Sequence, residues 1–287
     1  MSPRLAVLPQ YLLPKRALTT LAGRLAAAEG GALTTAAIRW FIKRYGVDMR
    51  EAAEPDPAAY RSFNEFFTRP LKPGARPIAR ADLVCPVDGA ISQFGRIRHD
   101  RILQAKGHDY TVPALLGGDP MLAAMFLDGE FATLYLSPKD YHRIHMPCSG
   151  RLRRMIHVPG DLFSVNPTTA RGVPGLFARN ERVVCVFDGE RGPFVMVLIG
   201  ATIVGSMATV WHGMVNPPRP GEVREWHYDG HVRLRQGEEM GRFLLGSTVV
   251  MLFPRDCLRF NADWAPERPV RMGEAMASYL PLPREEE

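Results

Sequence analysis

Three short segments of the sequence combine reactive side chains with residues that bend the backbone. They are Cys85-Pro86-Val87-Asp88-Gly89-Ala90, Tyr141-His142-Arg143-Ile144-His145-Met146-Pro147 and Leu245-Gly246-Ser247-Thr248. Between them they supply a carboxylate at Asp88, imidazoles at His142 and His145, and a hydroxyl at Ser247. A carboxylate that orients an imidazole, which in turn deprotonates a hydroxyl, is a common way of activating serine, and it is recognised by roles rather than by sequence order. The three segments are therefore candidate parts of one reactive site.

Two of the segments also have a plainer interpretation. Asp88 before Gly89 is typical of a turn. The hydroxyls of Ser247 and Thr248 lie in a predicted strand, where they would ordinarily face water or bond to the backbone. The chemical alternative for Ser247 is attack on the carbonyl of Gly246, because glycine tolerates strained dihedral angles and leaves its carbonyl unshielded.

The histidine pair leaves three roles open. Pro138 and Pro147 bracket His142 and His145, which disfavours a long helix. Imidazole titrates near neutral pH, so the pair suits acid–base catalysis. A zinc site would need a third protein ligand, for which Asp88 is the candidate. Two solvated or structurally hydrogen-bonded histidines are the third interpretation.

The elements that must position these groups change in type along the chain. The 26 Gly and 25 Pro argue against an all-helical bundle. From about residue 80 onward, short apolar or alternating runs bounded by Gly, Pro and Asp predict strands. These runs cover residues 90–94, 131–136, 183–187, 194–199 and 248–253. The predicted fold class is α+β, with N-terminal amphipathic helices followed by a β-rich catalytic body that has a largely antiparallel sheet core.

Amphipathic helical patterns are found in the first part of the chain. Residues Leu18, Leu21 and Leu25 recur at helical spacing. A second amphipathic helix is predicted from a cap at Thr34-Thr35 to about Gly46, and a short helix within 63–69 leads into a linker. We therefore expect residues 1–75 to form a helical, membrane-associating region with its linker, and residues 76–287 to form the catalytic domain.

Charge and hydropathy narrow the function classes. Residues 1–28 contain four basic residues and no acidic one, which suits an anionic membrane surface, or simply a helix packed on the body. The formal charge of +6 is not gathered into a dense basic run, so nucleic acid is disfavoured as a partner. Residues 192–218 carry no charge, but Gly, Thr and His interrupt them, and we interpret them as two neighbouring buried strands rather than a transmembrane helix.

Taken together, these segments resemble the phosphatidylserine decarboxylase family of the bacterial, pyruvoyl-dependent type. The motifs that carry the resemblance are residues 63–69, 87–89, 141–147, 163–167, 205–206 and 245–248. The resemblance covers about residues 60–255, and we expect it to extend over the whole chain. The Leu-Gly-Ser-Thr motif is weak alone, but joined to the other segments at these separations it is specific.

The resemblance implies that the chain cuts itself between Gly246 and Ser247. Carried over to this sequence, His145 would be the base that deprotonates Ser247, and Asp88 would hold its imidazole. The hydroxyl attacks the Gly246 carbonyl, the amide becomes an ester, and elimination followed by hydrolysis leaves a pyruvoyl group at the former Ser247. The products would be a large chain of residues 1–246 and a small chain of residues 247–287, associated as a heterodimer that could itself dimerise.

The resemblance also implies the reaction. The pyruvoyl group, as the covalent cofactor with no metal, would form a Schiff base with phosphatidylserine and yield phosphatidylethanolamine and carbon dioxide. His142 would be the proton donor, and Ser164 and Asn166 would bind substrate. The enzyme would be peripheral, on the cytoplasmic side of the cell membrane, and would serve phospholipid biosynthesis.

Two functions from other classes compete with this interpretation. A zinc-dependent hydrolase would use His142, His145 and Asp88 as ligands. A non-catalytic lipid-binding module would use the basic N-terminus and would stay as one intact chain. Metal analysis separates the first from a self-cleaving decarboxylase, and a denaturing gel separates the second.

Overall fold

A computed structural model describes residues 3–202, 206–217, 219, 221–244 and 247–281. Gly205, Leu245 and Gly246, which belong to the motifs above, lie outside the described residues, as does the side chain of Ser247. The helices are α1 Pro3–Leu12, α2 Lys15–Ala27, α3 Ala32–Tyr45, α4 Phe63–Phe67, α5 Val112–Leu115, α6 Pro120–Ala124, α7 Pro167–Gly172 and α8 Leu176–Arg179, with 3-10 turns at Met49–Glu51 and Pro57–Ala59. No described helix is both long and apolar enough to cross a bilayer.

Strands dominate the chain after residue 82. They are β1 Leu83–Val84, β2 Gly89–Arg96, β3 Arg101–Ala105, β4 His108–Thr111, β5 Glu130–Leu136, β6 Arg143–His145, β7 Gly150–Val158, β8 Arg182–Gly189, β9 Gly192–Ile199, β10 Met207–Thr209, β11 Gly213–Asn216, β12 Arg224–His227, β13 Arg233–Leu234, β14 Glu239–Phe243, β15 Ser247–Phe253, β16 Leu258–Phe260, β17 Pro269–Val270 and β18 Ala275–Tyr279. All five predicted strands are present, and the predicted α+β class is confirmed.

Antiparallel sheets form the core of the described structure. The largest has the order β12-β7-β8-β9-β15-β5-β2-β17, with β13 pairing β7. Smaller sheets have the orders β11-β10-β14-β6, β1-β18-β16 and β3-β4. Neighbouring residues of β15 belong to two different hydrophobic clusters, with Met251 in one and Val250 in the other. Side chains alternate between the faces of a strand, so this sheet is buried on both faces, and β15 lies in its middle.

The N-terminal helices follow the predicted pattern with one correction. The expected cap at Thr34-Thr35 is wrong by about one turn, because α3 begins at Ala32, after Gly31. The Thr34 hydroxyl accepts a hydrogen bond from the Gly30 amide at 3.0 Å, so it bonds back within the first turn instead of preceding it. The predicted end at Gly46 is confirmed, and its φ of 70° is a left-handed conformation that favours glycine.

The uncharged segment 192–218 is only partly as predicted. Its first piece is β9, a fully paired strand of the large sheet. Its second piece was predicted to be a neighbouring strand, but β10 and β11 pair with each other in the four-stranded sheet. Both edges of β9 are already occupied by β8 and β15, so the second piece pairs with β14 instead.

Candidate active site

The start of β15 lies inside the large sheet. Ser247 is opposite Leu136, the last residue of β5, and Thr248 lies between Tyr135 and Ile199. Thr248 is fully buried, and its hydroxyl has no hydrogen-bond partner among the described residues. A cut immediately before Ser247 would therefore place a new chain end within a rigid sheet, next to an unused hydroxyl donor.

Asp88 immediately precedes β2 and is held by a buried cation. The Arg76 Nε contacts both of its carboxylate oxygens, at 2.9 and 3.1 Å, and Arg76 Nη2 donates to Oδ2 at 2.5 Å. The Met272 amide donates to Oδ1 at 2.9 Å. Arg76 also bonds Glu51 at 2.7 Å. Burial alone would lower the pKa of the Arg76 guanidinium, but the two carboxylates raise it, so it remains charged.

Gly89 allows Asp88 to lie this close to the sheet. A β-carbon at residue 89 would meet the backbone carbonyl of Tyr135 on β5. The Asp-Gly pair, which in the sequence is also compatible with a simple turn, is thus the beginning of a strand that approaches its neighbour too closely for any side chain.

His145 ends β6 with both ring nitrogens engaged. Its Nδ1 lies 2.8 Å from the carbonyl oxygen of Gly237, and its Nε2 lies 3.0 Å from the hydroxyl of Tyr141. A carbonyl oxygen only accepts hydrogen bonds, so Nδ1 carries the proton and donates a hydrogen bond to Gly237. Nε2 is then unprotonated, and its lone pair accepts a hydrogen bond from Tyr141. Burial lowers the pKa of His145, which keeps the imidazole neutral. This is the protonation state that a general base requires.

The predicted contact between Asp88 and His145 is replaced by other bonds. The described hydrogen bonds of Asp88 go to Arg76 and the Met272 amide, while the imidazole of His145 bonds Gly237 and Tyr141. A guanidinium that bonds the carboxylate through two nitrogens competes strongly with a neutral ring N–H for it. The two segments are still adjacent, because the His145 amide donates to the Pro86 carbonyl at 2.8 Å.

His142 lies in a dry environment behind α4. It is completely buried, its ring centroid is 4.1 Å from that of Phe67, and its Nδ1 lies 2.7 Å from the carbonyl oxygen of Asp140. Burial lowers its pKa to about 3. Since Nδ1 donates to Asp140, the Nε2 carries a lone pair, and that atom has no hydrogen-bond partner among the described residues.

A cavity of about 740 Å³ adjoins these groups. Its wall includes Asp88, Tyr141 and also Tyr135, the residue opposite Thr248 in the sheet. His145 is not among the described residues that line it, but it reaches the wall through the hydroxyl of Tyr141. The volume is within the range typical of small-molecule sites.

Ser164 and Asn166 do not line this cavity in the part of the chain that the structure describes. Asn166 caps α7, because its Oδ1 accepts hydrogen bonds from the amide and hydroxyl of Thr169 at 2.9 and 3.1 Å. The Ser164 amide donates to Gln10 of α1 at 2.9 Å. The contacts of both residues are structural, and their role in substrate binding stays a prediction.

Two residues of this site, Arg76 and Tyr141, could not be assigned a role from the sequence. Arg76 lies in a Pro-rich linker and carries no local pattern that connects it with Asp88. Tyr141 precedes the two histidines directly, and that adjacency was the available signal. Arg76 reaches Asp88 from twelve residues away, whereas Tyr141 bonds His145 from only four residues away.

The zinc-ligand interpretation finds no support in this geometry. Within the described ranges, no three His, Cys, Asp or Glu residues are grouped closely enough to hold a metal ion. The ring nitrogens of His145 are both hydrogen-bonded, and the carboxylate of Asp88 is paired with Arg76. His142, His145 and Asp88 are thus oriented by protein groups instead of converging on one point.

Comparisons with known proteins agree with one another along the chain. A family model described as phosphatidylserine decarboxylase matches residues 63–278, and a second, described as PSD, matches residues 5–46. A phosphatidylserine decarboxylase proenzyme of Azoarcus sp. (strain BH72) is 78% identical over 281 residues, covering 98% of each chain. Proteins of the same description from Variovorax paradoxus (strain S110) and Dechloromonas aromatica (strain RCB) are 74% and 71% identical; the matches cover 98% and 97% of this chain and 100% and 99% of those proteins.

Proposed function

The chain belongs to the phosphatidylserine decarboxylase family, and on this premise we propose that it is a self-cleaving enzyme that converts phosphatidylserine to phosphatidylethanolamine and carbon dioxide. The observation that carries the proposal is the neutral His145, whose Nε2 accepts a hydrogen bond from the Tyr141 hydroxyl. Tyr141 lines the same cavity as Tyr135, the residue that pairs with Thr248 of β15.

In the self-cleavage step, His145 takes the proton of the Ser247 hydroxyl at Nε2. Either the Ser247 hydroxyl replaces the Tyr141 hydroxyl as the hydrogen-bond donor to Nε2, or the Tyr141 hydroxyl relays the proton from Ser247 to Nε2. The Ser247 oxygen attacks the Gly246 carbonyl, and the amide is exchanged for an ester. Asp88 supports the step electrostatically, because a carboxylate fixed near His145 favours the imidazolium that forms.

The residues around Ser247 fit a pyruvoyl group at that position. Thr248, next along the chain, offers a buried hydroxyl with no described partner, which can donate to a carbonyl oxygen. Such a group supplies an electron-accepting carbonyl for the loss of carbon dioxide. The protein side chains must carry out the remaining tasks of the reaction, which are binding the substrate and transferring protons.

For His142 we propose a proton-transfer role that agrees with its protonation state. A neutral imidazole with a free Nε2 takes a proton from the substrate ammonium first, and returns it to the carbon that loses carbon dioxide. Because His142 is fully buried, this role requires that the cut expose it. The Phe243 amide donates to the His142 carbonyl at 3.1 Å, so the strand covering His142 ends three residues before the cut.

The cut chains are expected to remain together. The small chain would begin with β15, which is hydrogen-bonded to β5 on one side and β9 on the other. Its later strands β17 and β18 pair with β2 and β1 of the large chain. Separating them would expose the centre of the large sheet, so we expect a stable non-covalent heterodimer.

We further propose that helices α1 to α3 bind the cytoplasmic face of an anionic membrane. Residues 1–46 contain seven Lys or Arg residues and one acidic residue, Glu29. Large apolar side chains of this region are exposed to solvent, namely Leu5, Leu8, Tyr11, Leu12, Leu13, Leu18, Leu21, Leu25, Leu33, Trp40 and Tyr45. Apolar side chains among basic ones are typical of helices that lie in a membrane interface.

The decisive experiment is an intact-mass measurement of the purified protein. We expect two chains of 246 and 41 residues, with a pyruvoyl end on the smaller. Ser247→Ala and His145→Ala should each remain one chain, whereas His227→Ala, which removes an exposed histidine side chain on β12, should be cut normally. Normal cutting of either site variant rejects the mechanism, and an intact wild-type chain favours a non-catalytic lipid-binding module.

A second measurement tests the role of His142. His142→Ala should be cut at the wild-type rate but should lose most of its lipid turnover, because Nε2 is assigned to the second reaction only. Full decarboxylase activity in this variant would exclude His142 as the proton carrier.

A further inference from the structure

Arg69 is a buried cation without an acidic partner in the part of the chain that the structure describes. Its exposed fraction is 3%, and it lines the cavity next to the candidate active site. None of the described ion pairs includes it. Its Nη1 donates to the Phe66 carbonyl at 3.4 Å and its Nη2 to the Lys139 carbonyl at 3.3 Å, while its Nε has no described partner. Both bonds are longer than usual for N–H donors.

Two other arginines with buried guanidinium groups, one beside this cavity and one in the core, are satisfied. Arg76 binds two carboxylates. Arg182 donates to three backbone carbonyls at 2.5 to 2.9 Å. Burying a charge is costly unless it is paired or fully hydrogen-bonded, so Arg69, which lines a cavity, calls for a ligand. Burial lowers its pKa, but an arginine stays protonated at neutral pH.

The acidic groups near Arg69 are committed to other partners. Asp88 is bonded to Arg76, and the Asp140 Oδ2 accepts from both the amide and the hydroxyl of Ser137 at 2.7 Å. These carboxylates favour the charged state of Arg69 from a distance without occupying its donors. The guanidinium is therefore charged and open to an anion that enters the cavity.

Arg69 is also linked to both parts of the proposed reaction centre. It bonds the loop 137–142, which begins after Leu136, the residue opposite Ser247, and ends at His142. Phe67, two residues before Arg69, packs against the ring of His142. An anion held by Arg69 would thus be part of a molecule whose other end can reach the start of β15.

We propose that Arg69 binds the phosphodiester of the lipid headgroup, an inference that rests on the proposed function and names the recognition element of its site. Arginine presents parallel N–H donors that match the two free oxygens of a phosphodiester. The substrate carboxylate is the poorer candidate. Negative charge leaves that group in the transition state, so a cation fixed on it would stabilise the ground state more than the transition state and slow the reaction.

The test uses full-length Arg69→Lys, Arg69→Gln and Arg69→Met proteins with dihexanoyl phosphatidylserine as substrate. Dihexanoyl phosphatidylethanolamine serves as the competitive inhibitor, because it keeps the phosphodiester but lacks the carboxylate. We expect the substrate KM and the inhibitor Ki to rise together, by about 10- to 100-fold in the Gln and Met variants and less in the Lys variant, with kcat changed less. Self-cleavage should be unaffected, and Arg61→Gln, an exposed arginine of the same segment, should behave as wild type.

Two results would overturn the inference. A raised KM with an unchanged Ki would place the carboxylate, not the phosphodiester, on Arg69. Unchanged values of both would show that it binds no substrate anion. If the Gln and Met variants do not fold, the Lys variant decides, because it keeps the charge and the aliphatic stem but loses the paired donors. A wild-type chain that is neither cut nor active would reject the proposed function itself, before any Arg69 variant is measured.

Discussion

Replacing Arg76 with methionine should strongly destabilise the uncut chain, because the change leaves the buried carboxylate of Asp88 without its cation. The two side chains are only 6% and 10% exposed, and Arg76 Nη2 lies 2.5 Å from the Asp88 carboxylate. Asp88 would keep the amide of Met272 as a donor. Glu51, the other partner of Arg76, is more exposed and also pairs with Arg271 at 3.1 Å. Removing Arg76 therefore destabilises the charged Glu51 less than it destabilises Asp88.

The expected size follows from the geometry. Two unit charges with centres about 4 Å apart attract by about 4 kcal/mol at the effective dielectric of a partly buried site. Removing one member of a buried pair is found to cost about 3–5 kcal/mol, because the other charge stays buried and unpaired. We therefore expect Arg76→Met to lower the free energy of unfolding by about 3–5 kcal/mol. Asp88→Asn should cost a similar amount, and the double variant should cost about 2–3 kcal/mol less than the sum.

Urea unfolding followed by tryptophan fluorescence measures these differences. The background should be Ser247→Ala, so that the chain is uncut and unfolding does not depend on the association of two chains. Arg50→Met is the matched control: it removes the same side chain from an ion pair of 2.7 Å with Asp48, but Arg50 is 89% exposed, and we expect no measurable change. A loss below about 1 kcal/mol for Arg76→Met, or additive losses in the double variant, would refute the reasoning.

Three further outcomes are expected. The self-cleavage rate should hold as the pH falls through 6.5 and decline only below it, because burial lowers the pKa of His145 and the neutral base persists; a gel time course across pH with an inflection above 6.5 would contradict this. Gly89→Ala should block cutting and lower the unfolding midpoint, since its β-carbon meets a backbone carbonyl, whereas Gly23→Ala, with open space around it, should be neutral or stabilising. Leu21→Glu should weaken sedimentation with phosphatidylserine vesicles while leaving cleavage intact.

Much of the fold could be predicted from the sequence because the signals are local. The alternating apolar runs that became β2, β5, β8, β9 and β15 carry their pattern within each strand. The cap at Thr34-Thr35 was misplaced because a threonine hydroxyl bonds the preceding turn as readily as it caps a helix. The pairing of β10 and β11 could not be predicted, since it depends on which strands already occupy the edges of β9.

In the candidate site, too, some features could be predicted from the sequence and others could not. Asp88, His142, His145 and Ser247 stand out in the sequence because each is a reactive side chain in a short segment that contains Gly or Pro. What orients His145 could not be predicted, because one of its partners is a backbone carbonyl, at Gly237, and every residue has one. A pattern of side chains holds no information about such a contact.

The sequence by itself determined the chemical groups, the family to which the chain belongs and the alternation of strands, since residue types and their spacing are local properties. Only the tertiary structure decided that Arg76 holds Asp88, that Tyr141 and Gly237 orient His145, and that Arg69 is buried without an acidic partner among the described residues. The physical reason is that residue type and spacing do not fix how side chains and backbone groups meet when the sheets pack; Gly237, for example, is 92 residues from His145 along the chain. Burial then determines which charges are satisfied and which remain available for a ligand.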